Sequence, residues 1–359
     1  MKLEETIKKI QPFDKEYYSA LLRSWNELAH PVGSLGKLEE ISSRVIAITG
    51  DENYNPNKRA WCVFCADNGI VDEGVSCQPK DQTALIAEQM VLGNTAAALL
   101  AKRHNIDLYI VDVGLLCDPD ERFVNKKVAL GTGNFSKERA MTKEEAVSAI
   151  EAGIEMGDEL FYEGYNIFMA GELGIGNTST SSAVLSALTS FGVDETVGRG
   201  AGVNNNALIH KKEVIKKALN FHKPDGKNPI EVLSKVGGFD IGAMAGFYLS
   251  AAKNKVPVIL DGFISSVAAL LSKRLCEYAA DYMISSHCSA ERGTNVVIGE
   301  LSLKPFLELD MRLGEGSGCP LALSILEDAL YLYRNMYRFE NSRVDGSYLK
   351  DFRSEETEK

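Results

Sequence analysis

The sequence predicts an α/β fold in which helices cover both faces of a parallel sheet. Short, continuous apolar segments alternate with longer segments of helical periodicity from residue 61 onward. Strands without polar alternation are typical of parallel sheets that are buried on both faces. Polar residues and glycines follow several of these strands, which predicts a shared ligand-binding edge at their carboxyl ends.

The individual elements follow from this alternation. The predicted strands are Trp61–Ala66, Asp107–Val113, Tyr165–Ala170, Val256–Leu260 and Tyr282–Ser285. The predicted helices are Thr83–Arg103, Lys143–Tyr162, Thr180–Leu188, Asn205–Leu219, Ile241–Asn254, Ser265–Ala279 and Leu321–Arg338. We expect an N-terminal helical segment (1–60), a parallel α/β domain (61–310) and a C-terminal part with a glycine loop and a helix (311–359).

The composition is ordinary for a globular chain with a sizeable core, and it excludes some function classes. The 359 residues are 45% hydrophobic and 25% charged. The formal net charge is −11, from 39 basic and 50 acidic residues, which argues against a nucleic-acid partner because phosphate binding needs a basic surface. No run of about 18 uncharged apolar residues occurs, so we expect no membrane partner.

Cysteine and histidine usage indicates neither a disulfide framework nor a metal site. The seven cysteines are an odd number in a long chain. Cys62 and Cys65 lie in a predicted buried strand, and no second cysteine pair stands at metal-ligand spacing. The charged N-terminus lacks the apolar segment of a signal peptide. We therefore expect a cytoplasmic protein that uses no metal and no cofactor.

A single carboxylate stands on a glycine loop near the end of the chain. Glu315 lies between Gly314 and Gly316, with Gly318 two residues further on. Glycine permits unusual dihedrals and a close approach of backbone to ligand. Pro320 fits the first turn of the helix that follows. A carboxylate in this position is compatible with a general base, a metal ligand or a helix cap.

Two further glycine-rich loops precede helices. One is Gly171–Ser182, and the other is Gly198–Asn205, whose helix carries Lys211 and Lys212. Backbone N–H groups at helix starts favour anions, and Arg199 with one lysine adds positive charge. The first loop lacks dinucleotide spacing and the chain has no P-loop motif, so a monophosphate is the better fit. The alternative is ordinary turns, with both lysines on a solvated face.

Two other enzyme classes fit poorly. The segment Ser286–Gly293 contains Ser, His and Glu, but the Gly-x-Ser-x-Gly elbow of a hydrolase is missing. An NAD-linked oxidoreductase is disfavoured because the dinucleotide fingerprint is missing as well.

Taken in order, these segments resemble the nicotinate-nucleotide–dimethylbenzimidazole phosphoribosyltransferase family, whose members activate the lower base of cobamides. The resemblance runs from about Pro31 to Leu330. The matching segments are Pro31–Gly36, Ala66–Gly69, Glu73–Ser76, Gly171–Thr178, Gly198–Gly202, Val236–Gly238, Asp261–Phe263, His287–Gly293 and Arg312–Gly318.

The resemblance implies a fold, an assembly and a reaction. The fold is a three-layer, Rossmann-like α/β domain with a smaller helical domain built from both termini. The assembly is a homodimer, or a heterodimer with a homologous subunit. The partners are nicotinate mononucleotide, which donates phosphoribose, and an aromatic base, which accepts it to give an α-linked riboside phosphate and free nicotinate.

The resemblance also implies roles for particular residues. Glu315 matches the family's general base, and Glu172 matches a second carboxylate. The residues expected near the nucleotide and its phosphate are Glu172, Gly174, Gly176, Asn177, Thr178, Gly200, Gly202, Lys211, Ser289 and Glu291. Those expected around the acceptor base are Gln78, Ile86 and Leu313.

The implied chemistry agrees with the residues. The donor carries a cationic pyridinium leaving group, so no metal is needed to expel it. The acceptor loses a proton as it attacks, and a carboxylate near the acceptor can take that proton. A dry pocket that lifts the glutamate pKa from about 4.3 toward neutrality makes it a better base.

Two positions depart from the family pattern. Many members have a glutamine that reaches the benzimidazole where this chain has Ile86, and the usual Asp-His-Gly is Asp67-Asn68-Gly69 here. Loss of an amide partner weakens discrimination for a ring nitrogen. A phenol- or p-cresol-activating subunit of a heterodimer is therefore an alternative, whereas retention of Glu315 and Glu172 argues against an inactive partner subunit. Benzimidazole activation is our preferred prediction.

Overall fold

One parallel sheet organises the part of the chain that the computed structural model describes, residues 2–118, 120–346 and 349. Its strands are β1 (Arg59–Ala66), β2 (Asp107–Gly114), β3 (Val124–Asn125), β4 (Ile167–Leu173), β5 (Val258–Leu260) and β6 (Met283–Ser285). Their order across the sheet is β3-β2-β1-β4-β5-β6, and every pairing is parallel. The order reverses between β1 and β4, which is where open α/β sheets bind ligands.

Helices cover both faces of this sheet, which confirms the predicted three-layer α/β class. They are α1 (Lys2–Lys9), α2 (Lys15–Trp25), α3 (Lys37–Thr49), α4 (Gln82–Val91), α5 (Ala96–Arg103), α6 (Lys143–Tyr162), α7 (Asn177–Leu188), α8 (Val193–Thr196), α9 (Asn205–His222), α10 (Pro229–Val236), α11 (Phe239–Lys253), α12 (Phe263–Leu275), α13 (Thr294–Leu301) and α14 (Cys319–Asn335). Helix α11 packs on β1, β2 and β4 and against α6, while α4 contacts β1, α5 contacts β2 and α14 contacts β5.

Helices from the two ends of the chain pack together. Helix α3 contacts both α2 and α14. The fully buried Trp25 ring lies 5.3 Å from the ring of Tyr333, measured between centroids. These contacts are those expected of a small domain built from both termini. The division into 1–60, 61–310 and 311–359 stays a prediction, and residues 350–359 lie outside the described residues.

The continuous helix predicted over Thr83–Arg103 is wrong. Gly93 has a φ of +81°, and the Thr95 side chain caps a new helix by accepting from the Ala98 N–H at 3.3 Å. The chain therefore forms α4 and α5 in its place. A left-handed glycine followed by a capping threonine ends one helix and starts the next.

This break also bears on the membrane prediction. By length and composition alone, Gln82–Arg103 could cross a membrane, with a mean hydropathy of 1.4. The two helices have 10 and 8 residues. They reach about 15 and 12 Å, whereas the hydrocarbon core of a bilayer is about 30 Å thick.

Two strands differ from the prediction, and one cysteine pair agrees with it. Strand β4 continues to Leu173, so Glu172 lies on the strand and not in the loop after it. The two-residue strand β3 was not predicted because so short a segment has no readable periodicity. Cys62 and Cys65 are free and fully buried on β1, as predicted.

Candidate active site

A cavity of about 490 Å³ lies at the carboxyl ends of β4, β5 and β6. Strand β4 contributes Glu172, and Asp261 and His287 follow β5 and β6 closely. The remaining walls come from the segment after β1, the loop around Gly200 and the segment that ends at Glu315. The volume is in the usual range for a small-molecule site.

Most of the predicted site residues meet in this cavity. Its lining includes Gln78, Ile86, Glu172, Gly174, Gly176, Asn177, Thr178, Gly200, Ser289, Glu291, Leu313 and Glu315. Lys211 lies just behind the lining, where its Nζ donates to Thr178 Oγ1 at 2.8 Å. Gly202 is exposed on the turn beyond Gly200, with a φ of +125°, and does not line the cavity. The chemical roles of all these residues stay predictions.

The loop that carries Glu315 has an unusual backbone. Gly314, Glu315 and Gly316 have φ values of +84°, +63° and +82°. A left-handed conformation at a residue other than glycine costs roughly 1–3 kcal/mol and persists only where the surroundings enforce it. Gly171 on β4 makes room for this loop, because a Cβ there would lie 2.2 Å from the Glu315 carbonyl carbon.

Hydrogen bonds from distant elements hold this loop. Trp61 Nε1 on β1 donates to the Glu315 carbonyl at 3.1 Å. The Asp261 carboxylate accepts from the Gly316 N–H at 3.1 Å and from the Gly318 N–H at 2.8 Å. These hydrogen bonds fix the backbone of the loop and do not involve the Glu315 carboxylate.

The Glu315 carboxyl has the properties of a general base. It is buried, and burial together with the charge of Asp261 raises its pKa from 4.5 to about 6. Its Oε2 has no hydrogen-bond partner within the described residues. A carboxylate with a pKa near neutrality and a free oxygen can accept a proton from a bound ligand.

Two more buried carboxyls lie beside this base. Asn177 Nδ2 donates to Glu172 Oε2 and also to Asp240 Oδ2, the latter at 3.2 Å. Burial and then the charge of Asp240 raise the pKa of Glu172 well above its usual value, and burial raises the pKa of Asp240 to about 6. A Cβ on Gly314 would lie 2.4 Å from Glu172 Oε1, so Glu172 packs directly against the Glu315 loop.

The part of the cavity around Thr178 and Gly200 carries positive charge. Lys211 is only 1% exposed, and burial lowers its pKa to about 8, against the opposing effect of Glu291. Arg312 lines the cavity and donates to the Gly200 carbonyl at 2.9 Å. The N-terminus of α7, which contains Thr178, lies next to Lys211 and adds a partial positive charge. This arrangement suits a phosphate.

The structure distinguishes residues that the sequence left equivalent. Lys212 points outward and pairs with Asp194 at 2.8 Å, whereas its neighbour Lys211 is buried. Arg199 is exposed and donates to Val203 and Asn205 within its own loop, so Arg312 is the arginine at the cavity. Helical spacing separates Lys211 from Lys212 by about 100°, but only tertiary contacts decide which one is buried.

The sequence prediction placed Asp261 and His287 on the shared edge of strand ends but gave them no role, and it missed Asp240, which lies behind Asn177. Ser286 Oγ and His287 Nδ1 are 3.0 Å apart, and His287 Nδ1 lies 3.7 Å from Asp261 Oδ1. The acid nearest His287 is thus Asp261, while Glu291 lies near Lys211 and Arg312. The position of Asp261 directly after an apolar strand was the available signal.

The described side chains form no metal site. Within residues 2–118, 120–346 and 349, no group of three or more His, Cys, Asp or Glu side chains is arranged to hold a metal ion. The acids around Glu315 are separated by an asparagine and by backbone N–H groups that already use their oxygens.

Comparisons with known proteins extend these observations. The sequence model of a family described as Phosphoribosyltransferase matches residues 10–344. The nicotinate-nucleotide–dimethylbenzimidazole phosphoribosyltransferase of Clostridium tetani is 47% identical over 353 residues, which cover 98% of each chain. The enzyme of the same name from Acetivibrio thermocellus is 43% identical over 344 residues, which cover 96% of this chain and 98% of the relative.

Solved structures agree. The crystal structure of CobT from Thermus thermophilus superposes on this chain with a TM-score of 0.87 and 34% sequence identity. The superposition covers 92% of this chain and 100% of that structure. Likeness in sequence and in fold therefore extends over nearly the whole chain. The chain belongs to the nicotinate-nucleotide–dimethylbenzimidazole phosphoribosyltransferase family.

Proposed function

We propose that this enzyme transfers the phosphoribosyl group of nicotinate mononucleotide to an aromatic base of the 5,6-dimethylbenzimidazole type. The products are an α-riboside 5′-phosphate, for assembly of the cobamide nucleotide loop, and nicotinate. One observation carries the proposal: the buried carboxylate of Glu315, whose Oε2 has no partner among the described residues, lines the same cavity as Thr178, which the buried cation Lys211 contacts from behind. The names of the relatives described above support it.

The donor phosphate binds at the cationic side. Lys211 Nζ and the Thr178 hydroxyl lie 2.8 Å apart at the start of α7, and Thr178 lines the cavity. A phosphate dianion there offsets the cost of burying the lysine charge, and it would raise the pKa of Lys211 from about 8. The neighbouring Glu291 has an Oε2 without a partner among the described residues, and it suits a ribose hydroxyl donor.

The transfer step needs one proton acceptor. The unprotonated ring nitrogen of the base attacks C1′ from the face opposite nicotinate, and the C1′–N bond breaks with its electron pair going to the pyridine ring. The N–H proton of the acceptor passes to Glu315 Oε2. Attack from the opposite face inverts the β-linkage to α. Fixing donor, acceptor and base in one cavity removes much of the entropic barrier.

The acceptor binds on the apolar side of the cavity. Ile86, Phe263, Ile264 and Leu313 line it there. Flat aromatic rings gain from burial against such side chains. Ile86 offers no hydrogen bond to the base, so the base is held by shape, by its proton donation to Glu315 and by Gln78, which also lines the cavity. The relatives named above carry the benzimidazole name and give no support to the phenol alternative.

The direct test is turnover with a panel of acceptors. Purified enzyme is incubated with nicotinate mononucleotide and with dimethylbenzimidazole, benzimidazole, adenine, phenol or p-cresol. We expect stoichiometric nicotinate release and a riboside phosphate of the expected mass with the benzimidazoles, with α-stereochemistry by NMR. Absence of nicotinate release with every acceptor would refute the proposed function, and products from the phenols alone would replace the acceptor class.

We further propose that the enzyme is a homodimer that uses the outer face of α4 and α5. Leu85, Leu92 and Leu99 are 49%, 59% and 58% exposed on this segment. Large apolar surfaces left exposed on a folded protein mark interaction sites, and these three leucines belong to one segment of the chain. Light scattering should give twice the chain mass, and L92K/L99K should give the chain mass, whereas Tyr162→Lys at another exposed site should not change it.

We also propose that the enzyme acts in the cytoplasm. All seven cysteines are free, which suits a reducing compartment. Fractionation of cells that produce the tagged protein would test this proposal.

A further inference from the structure

Resting on the proposed function, we propose that Asp261 is a positioning residue for the general base. Its carboxylate ties the Glu315 loop to the carboxyl end of β5 and places a fixed negative charge behind Glu315. Asp261 does not need to touch either substrate for this role, because it acts through the backbone and through the field at Glu315.

The two carboxylate oxygens of Asp261 divide their contacts between two parts of one turn. Oδ2 accepts from the Gly316 N–H at 3.1 Å, and Oδ1 accepts from the Gly318 N–H at 2.8 Å. Gly318 is the N-cap residue of α14, which offers no capping side chain of its own. Asp261 therefore caps α14 from a distant strand, and it pins the residue that directly follows Glu315.

Hydrogen bonds on the side away from the loop hold the backbone of Asp261. Its N–H donates to Ser265 Oγ at 3.0 Å, and Ser265 Oγ is 2.7 Å from the hydroxyl of Tyr248. The side chain is 3% exposed. The backbone of Asp261 is thus anchored to α12 and its carboxylate is buried, so the carboxylate is a fixed attachment point for the loop.

The Glu315 loop needs such a restraint. Its left-handed backbone at Glu315 is costly, and the two neighbouring glycines would allow many other conformations. Misplacement of a catalytic group by about 1 Å can cost about 10²-fold in rate. The hydrogen bonds from Asp261 to the N–H groups of Gly316 and Gly318 restrict these alternative conformations.

The charge of Asp261 has a second effect on the base. After burial, Asp261 is the group that raises the pKa of Glu315. Burial also raises the pKa of Asp261, and the nearby His287 acts in the opposite direction. The other titratable groups that act on this pair are Glu172 on β4, Tyr248 on α11 and Cys319 on α14.

The competing interpretation is that Asp261 is only a helix cap. Asp112 offers a control of similar burial: it is 2% exposed near the end of β2, its Oδ1 accepts from the N–H groups of Gly114 at 3.1 Å and Leu115 at 2.9 Å, and its Oδ2 pairs with Lys127 at 3.1 Å. It does not line the cavity. If Asp261 has a purely structural role, Asp261→Asn and Asp112→Asn should both lower the melting temperature and leave the pH dependence of kcat unchanged.

The kinetic experiment measures kcat and KM from pH 4.5 to 8.5 for wild type, D261N and D112N. We expect D261N to lose about tenfold to 10²-fold in kcat, with the KM for nicotinate mononucleotide changed less than about threefold. We also expect its acid limb to move to lower pH, because removal of the negative charge makes Glu315 easier to deprotonate. D112N should lower the melting temperature while the acid limb stays in place.

A second measurement does not depend on turnover or on the folding of D261N. In wild type with ¹³C-labelled side-chain carboxyls, the resonances of Glu315 and Asp261 should each carry the titration step of the other. Independent single-step curves, or a D261N enzyme with an unmoved acid limb and a kcat within twofold of wild type, would overturn the proposal. Neither result would contradict the proposed function, which fails only if the wild-type enzyme releases no nicotinate from nicotinate mononucleotide with any acceptor.

Discussion

The two sides of the cavity both bury charge, but they do so in different ways. On the acidic side, the Asp261 carboxylate is satisfied by two backbone N–H groups, and Asn177 bridges Glu172 and Asp240. On the cationic side, Lys211 donates to the neutral hydroxyl of Thr178, and burial lowers its pKa to about 8. The acidic side is preorganised by protein contacts, whereas in our proposal the phosphate of the donor completes the cationic side.

This difference teaches how the work of catalysis is divided. Interactions that already exist before substrate binds position reacting groups and affect kcat, whereas interactions completed by the substrate affect its affinity. Variants on the acidic side should therefore act on kcat or on the pH dependence of stability. Variants on the cationic side should act on KM.

The largest effect is expected from Glu315→Gln. The amide keeps the volume but cannot take a proton at its nitrogen, so kcat should fall about 10²–10⁴-fold. Nicotinate release measures the rate. Glu308→Gln, at an exposed residue a few positions earlier, is the control and should behave as wild type. An E315Q enzyme with wild-type kcat would remove Glu315 from the mechanism.

Asp240→Asn should change the pH dependence of stability. Burial raises the pKa of Asp240 from 3.8 to about 6, so the folded protein holds this proton more tightly than the unfolded chain. The stabilisation is fully present below pH about 4 and is lost as pH rises through about 6, amounting to about 3 kcal/mol at most. Urea unfolding at pH 4.5 and pH 8 should show a flatter profile for D240N than for wild type.

The control for that experiment is Asp328→Asn, at an exposed aspartate on α14. Its unfolding free energy should follow the wild-type pH profile. Equal slopes for D240N and wild type would mean that Asp240 does not hold a proton in the folded state.

Lys211→Met should weaken donor binding with little effect on kcat. A hydrogen bond to a charged group contributes about 1.5–3 kcal/mol, which corresponds to an increase in KM of about 10- to 150-fold. Lys212→Met removes the adjacent lysine, which pairs with Asp194 at the surface, and should leave KM unchanged. If both variants bind nicotinate mononucleotide alike, the phosphate does not contact Lys211.

Gly316→Ala should lower stability and have a diagnostic effect on rate. Gly316 has a φ of +82°, and a Cβ there would lie 2.2 Å from Trp61 Nε1, which holds the Glu315 carbonyl. Gly50→Ala has a similar φ of +71° and open space around it. Both should lose about 1 kcal/mol of unfolding free energy from the backbone. G316A should lose about 1–3 kcal/mol more because Trp61 must move, and only G316A should also lose kcat.

Much of the fold could be predicted because its signals are local. Apolar strand segments and helical spacing identify β1, β2 and α6 from neighbouring residues alone. The break at Gly93 was missed because an isolated glycine in a helical pattern is often tolerated. Strand β3 was missed because two residues carry no periodic signal.

The site divides in the same way. The glycines around Glu315 and the loops at Gly174 and Gly200 can be recognised from sequence, because glycine marks close backbone approach. The partners of the Glu315 loop cannot be recognised from sequence, because they are distant along the chain. Trp61 lies 254 positions from Glu315, and Asp261 lies 55 positions from Gly316. Which of two adjacent lysines is buried is likewise decided only by tertiary packing.

The most direct test of the central claim is the pH dependence of kcat for the wild-type enzyme with saturating nicotinate mononucleotide and dimethylbenzimidazole. Glu315 must be deprotonated to act as a base, and burial with the charge of Asp261 raises its pKa to about 6. We predict that kcat rises with pH through about 6 and then reaches a plateau, and that this limb is lost in E315Q. A limb near the ordinary glutamate value of about 4.3, or a limb that persists in E315Q, would contradict the account.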